Sequence, residues 1–105
     1  MGPGVTMGHL MDTYQTVVAE TPFEWGHPLL HARGLGDDVP VLLGDHDLER
    51  YQSTPLEEGM TFVLKPHTGD PETGCRLTVG DTVCVTADGA RRLSNRSMAP
   101  LVSKV

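Results

Sequence analysis

The stretch Gly80–Leu93, GDTVCVTADGARRL, reads as a β-hairpin, and the fold follows from it. Thr82, Val83, Cys84 and Val85 are side chains that suit a pleated, half-buried surface. TADG, Thr86–Gly89, makes a tight turn in which glycine is free to take positive φ, and ARRL returns as a short strand. Upstream, LEEGMTFVLKP (Leu56–Pro66) alternates Met60, Phe62 and Leu64 with Thr61, Val63 and Lys65, the period of a strand with one face more buried. The turn-rich HTGDPETG (His67–Gly74) separates the two. Before them lie a glycine-punctuated run, LLHARGLGDDVPV (Leu29–Val41), and a polar loop, GDHDLERYQSTP (Gly44–Pro55). Near the start, Leu10, Met11, Tyr14, Val17 and Val18 form one face of an amphipathic helix that Thr21-Pro22 ends. Residues 1–7 are expected to be a flexible tail, and Phe23–Pro28 a loop anchored by Phe23 and Trp25. The expected class is α+β, with one helix packed on a curved, mainly antiparallel sheet over residues 8–105.

Composition narrows the function classes. The chain has 105 residues, 38% of them hydrophobic, so it holds at most one domain. Fourteen acidic residues against eight basic ones give a net charge of −6, and the Arg residues are scattered apart from Arg91-Arg92. A polyanion is held by clustered Lys and Arg, so no nucleic-acid partner is expected. No apolar run reaches the roughly 20 residues of a membrane helix, and the first residues lack the regions of a secretory signal. A cytoplasmic protein without a membrane partner is the resulting expectation.

Cys75 and Cys84 have neither zinc-knuckle spacing nor the multiple pairs of a secreted scaffold. They are expected to be buried free thiols, with a disulfide open to them only where their two strands pair closely.

Three ordered blocks carry a resemblance to a known family. HARGLGDDVP (His31–Pro40) is similar to HGxGxxxHEP, Leu56–Pro66 to LExGMvftiEP, and Gly80–Leu93 to EDTVLVTEDGAERL. These are motifs of the pita-bread metallopeptidases, which include creatinase, Xaa-Pro aminopeptidases and methionine aminopeptidase. The resemblance covers the C-terminal half of that fold. It implies two divalent metals held by two Asp of the first half, then one His and two Glu of the second, a set that would make hydroxide from water and polarise a carbonyl. His31 stands at the histidine position, Lys65 at the first glutamate and Gly80 at the second. An ammonium has no lone pair for a metal unless deprotonated, and glycine has no side chain. The family's second histidine is replaced by Asp38 and its glutamate neighbour by Val39. A shifted register would offer Asp81 as the carboxylate, but the DTVxVT string assigns Asp81 to the family's non-ligand aspartate. No metal or other cofactor is therefore expected on this chain.

Each remaining candidate has a functional and a plainer reading. His31, Asp38 and Lys65 are the candidate catalytic groups, and Arg33, Asp37 and His67 the candidate substrate-binding groups. His31 is otherwise a buried histidine bonded to a carbonyl or carboxylate. Lys65 either neutralises Asp37 or Asp38 as an ion pair, or acts desolvated as a base or imine-forming amine. Arg33 suits bidentate binding of a carboxylate or simple exposure. Asp45-His46-Asp47 either chelates a cation or is solvated, and His27 and His31 have ligand spacing only on a helix, which Pro28 opposes.

The sequence thus points to a metallopeptidase-like domain acting as a non-peptidase binding or structural module. The alternatives are a small metal-independent enzyme acting on a carboxylate or carbonyl compound by acid–base catalysis, and half of a split hydrolase. Half of a pita-bread fold exposes a sheet face and edges, so a homodimer or a covering partner is expected, together with a small-molecule ligand.

Overall fold

The computed structural model describes residues 1–99, and positions 100–105 of the expected domain lie outside the described residues. Along the chain come α1 (Met7–Ala19), β1 (Glu24–Gly26), β2 (Leu30–Arg33), β3 (Asp37–Leu42), α2 (Asp45–Tyr51), β4 (Thr61–Leu64), β5 (His67–Gly69), β6 (Arg76–Thr78), β7 (Asp81–Thr86) and β8 (Gly89–Arg92). The strands form a five-stranded sheet, β3-β2-β4-β7-β8, and a three-stranded one, β1-β5-β6. All pairs are antiparallel. The α+β expectation holds, with a second helix and a second sheet added.

The hairpin forms as read. Val85 pairs with Ala90 and Thr86 with Gly89, which takes φ +152° at the turn. Helix α1 starts where the Thr6 hydroxyl accepts the His9 N–H at 3.2 Å, so the cap satisfies one of the free donors of the first turn. Met7, Met11 and Val18 are its buried residues, whereas Val17, expected on the apolar face, is 59% exposed. Met7 and Met11 join Leu30, Leu42, Leu56, Phe62, Val83 and Val85 in one apolar cluster. The β4 and β7 residues in that cluster recur every second position, so one face of the five-stranded sheet is core.

Four expectations are corrected. The N-terminal tail carries backbone bonds to the segment before β4: Gly4 N–H donates to Leu56 O at 2.9 Å and Leu56 N–H to Val5 O at 2.8 Å. The polar loop contains α2, whose Asp45 and Asp47 in the first turn and Arg50 in the last complement its dipole. It buries no residue fully, so no apolar period marked it. The Phe23–Pro28 loop and the turn-rich stretch contain β1 and β5, three residues each and too short for a period to register. Finally, the cysteines are free but not buried: Cys75 is exposed and Cys84 half-buried, and only Cys84 lies on a strand, β7.

Candidate functional site

The pairing of β2, β4 and β7 decides which residues meet. Val63 lies opposite both His31 and Thr82, and Leu64 lies opposite Asp81. Continuing that register puts Lys65 opposite Gly80, and the Lys65 N–H donates to Leu29 O at 2.7 Å. Directly paired residues share a face and alternate residues do too. His31, Val63, Lys65, Gly80 and Thr82 therefore line the face opposite the core. A Cβ built on Gly80 would lie 3.2 Å from Lys65 Cγ and 2.9 Å from Leu64 O. The absent side chain at Gly80 is what lets the strands and the lysine stem close over that point.

His31 is 4% exposed and fixed through one ring nitrogen. Its Nδ1 lies 3.0 Å from Ala32 O and 3.5 Å from an Asp37 carboxylate oxygen. Both oxygens are acceptors, so Nδ1 carries a proton. This is the geometry of the plainer reading, a buried histidine bonded to a carbonyl. The Arg33 guanidinium meets the same Asp37 oxygen at 2.5 Å. Arg33 thus occupies Asp37, and Lys65 enters no ion pair among the described residues.

Asp38 is turned into its own loop. One carboxylate oxygen accepts the Gly34 N–H at 2.8 Å and the Gly36 N–H at 3.4 Å, an arrangement that shapes the β2–β3 turn. It lines an open depression with Val39, Pro40 and Met60, and neither His31 nor Lys65 lines that depression. The structure brings His31, Arg33 and Asp37 together, sets Lys65 on the same sheet face as His31, and gives Asp38 a separate task. His67 lies on the three-stranded sheet, with Gly26 and Thr78 as its cross-strand partners.

Asp81 is committed on the opposite side of β7 from Gly80. Its carboxylate accepts from Ser94 Oγ at 2.7 Å and from Arg92 Nε at 2.7 Å. The Ser94 hydrogen bond, aided by the Arg92 guanidinium and the Thr82 N–H against the cost of desolvation, holds its carboxyl below the usual range. The carboxylate that the shifted register would offer to a metal is thus engaged by Ser94 and Arg92. The acidic triplet is divided as well: Asp45 lies 3.1 Å from His27 Nε2, and Asp47 accepts the Leu43 N–H at 3.1 Å. Among the described residues, no three or more His, Cys, Asp or Glu side chains are grouped to hold a metal ion.

One contact was missed in the sequence. The Tyr14 hydroxyl donates to His67 O and ties α1 to the three-stranded sheet. The helical period placed Tyr14 on the apolar face but said nothing of where its hydroxyl would find a partner.

Residues 1–87 match Metallopeptidase family M24, and the chain belongs to that family. It is 30% identical over 95 residues to an Xaa-Pro dipeptidase of Pyrococcus horikoshii, covering 88% of this chain and 25% of that protein. The Xaa-Pro dipeptidase of Pyrococcus furiosus is 28% identical over 95 residues with the same coverage. The chain therefore spans about a quarter of the length of these relatives. Among solved structures, the Pyrococcus furiosus prolidase superposes with a TM-score of 0.74 at 27% identity, covering 91% of this chain and 27% of that one. Methionine aminopeptidase from Rickettsia prowazekii superposes with a TM-score of 0.71 at 18% identity, covering 87% of this chain and 44% of that one, and bears on the fold alone. These likenesses establish the pita-bread fold. No helix of the described residues is long and apolar enough to cross a membrane.

Proposed function

We propose that this M24 domain has given up dinuclear metal hydrolysis and serves as a non-peptidase binding or structural module. The Lys65–Gly80 cross-strand pair carries the reading. At the two positions where the family resemblance calls for metal-ligating glutamates stand an ammonium and no side chain, and the backbone at Gly80 leaves no room for a Cβ. His31 alone retains a ligand position, and a single imidazole does not hold a metal pair. The implied metals thus do not fit these residues, and no hydrolytic step runs through them.

The acid–base alternative needs His31, Asp38 and Lys65 around one cavity. The bonds from Asp38 to Gly34 and Gly36 weigh against it. The half-exposed face of β4 and β7 supports the further reading that a second copy or a separate partner covers this sheet.

Metal analysis of protein purified without chelator, together with an Xaa-Pro dipeptide assay in added manganese, tests the proposal. Neither bound metal nor hydrolysis is expected. Stoichiometric zinc, manganese or iron, or metal-dependent turnover, overturns it. Light scattering at dilute concentration tests association, and a stable monomer counts against a covering second copy.

A further inference from the structure

The three-stranded sheet holds a cleft of about 360 Å³ lined by Glu24, Trp25, His67, Gly69, Asp70 and Arg76 among others. That size lies at the small end of ligand pockets and suits a small molecule. Its floor is set by register. Glu24 pairs with Gly69 and Gly69 with Arg76, so an acid and a base share one face with a glycine between them. Because Gly69 has no side chain, a groove is left open, and the arginine stem leans over it: a Cβ on Gly69 would lie 3.5 Å from Arg76 Cγ and 3.9 Å from Nε.

The charges of this row are unspent. Neither Glu24 nor Arg76 enters an ion pair among the described residues. Asp70 adds a second carboxylate at the rim, held by the Glu72 N–H at 2.9 Å and the Thr73 hydroxyl at 2.6 Å. His67 contributes a buried Nδ1 that has no hydrogen-bond partner. Two carboxylates and one guanidinium disfavour a simple anion, and a simple cation leaves Arg76 unmatched.

We infer that this cleft binds a small zwitterion the size of a free amino acid, its carboxylate on Arg76 and its ammonium on Glu24, with Asp70 nearby. Two interstrand steps of about 4.8 Å set the Glu24 and Arg76 backbones about 10 Å apart, and the arginine stem leaning over Gly69 brings its guanidinium nearer to Glu24 than that. Charge-assisted bonds at each end then leave room only for a ligand whose own charges are close together, as they are in an amino acid. The site is distinct from the Lys65 face and stands or falls independently of the metal question.

Amide chemical shifts of the full chain titrated with L-alanine, acetate and methylammonium test the inference. L-alanine at millimolar concentration is expected to shift Trp25, Thr68 and Gly69 saturably, with acetate and methylammonium about tenfold weaker. Arg76→Ala and Glu24→Gln should each weaken L-alanine about tenfold, since each removes one charge-assisted contact. Gly69→Val should abolish binding by filling the groove. Gly69→Ala, at a position where a Cβ meets only ordinary contacts, should weaken binding while leaving the fold intact. An absence of shifts with L-alanine, acetate binding as tightly as L-alanine, or affinity unchanged in Arg76→Ala and Gly69→Ala overturns the assignment.

Discussion

Lys65, just past the end of β4, and Gly80, just before β7, face each other with so little space that a methyl group on Gly80 would sit 3.2 Å from the lysine Cγ. The Leu64 carbonyl oxygen is closer still, at 2.9 Å, and belongs to backbone that cannot swing aside. Gly80→Ala is therefore expected to cost about 1–3 kcal/mol, the usual range for forcing an extra carbon into a closed site. Urea unfolding measures it, and a variant as stable as the parent would mean that the strands have room to part.

His31 and Asp37 touch, yet their contributions should differ. Asp37 is largely exposed, and its pair with Arg33 is a surface ion pair, so Asp37→Ala is expected to cost less than about 1 kcal/mol. His31 is buried, and His31→Ala leaves a space and removes the ring's bond to the Ala32 carbonyl, for about 2 kcal/mol or more. Paired denaturation curves check the order, and an Asp37 variant that loses more than the His31 variant would reverse the roles assigned to them.

The Asp81 carboxyl, lowered first by Ser94 and then by Arg92, gives stability a pH dependence with a definite sign. The unfolded chain titrates it at the ordinary value and the folded chain lower. Its contribution is complete above about pH 4 and is lost as pH falls through the folded value. The stability gap between the parent and Asp81→Asn should hold from neutral pH down to that point and then shrink. A gap that widens in acid would contradict the assignment.

Phe62 is fully buried in the apolar cluster that also holds Met7 and Met11. Phe62→Ala should remove about 3–5 kcal/mol, a large share of what a domain of this size has to lose. Thr6→Ala, which deletes only the cap of α1, should cost about 1 kcal/mol. Thermal melts of the two variants should differ accordingly.

How much of this was legible in the sequence depended on the length of the signal. The hairpin at Gly89 and the alternation in β4 were legible because period two survives over several residues and only one register buries Phe62 and Val83 together. The helix was legible for the same reason at period 3.6. Strands β1 and β5 were not, since three residues carry no period, and α2 buries nothing fully that would announce it. In the site, the three motif blocks brought Lys65 and Gly80 to attention separately. Their mutual closeness is a property of register, as is the alignment of Glu24, Gly69 and Arg76, which lie far apart along the chain. The pairing of Asp37 with Arg33 instead of Lys65 was illegible too, because it depends on which side chain the turn brings nearer.

Strands β4 and β7 divide labour by parity: Phe62, Val83 and Val85 are buried in the core, while Thr61, Val63, Lys65, Thr82 and Cys84 are half-buried on the reverse face. For anyone wishing to install new chemistry on this scaffold, the odd positions of β4 and the even ones of β7 are a writable surface. A combinatorial library confined to those five sites would vary recognition while leaving the residues that hold the fold untouched.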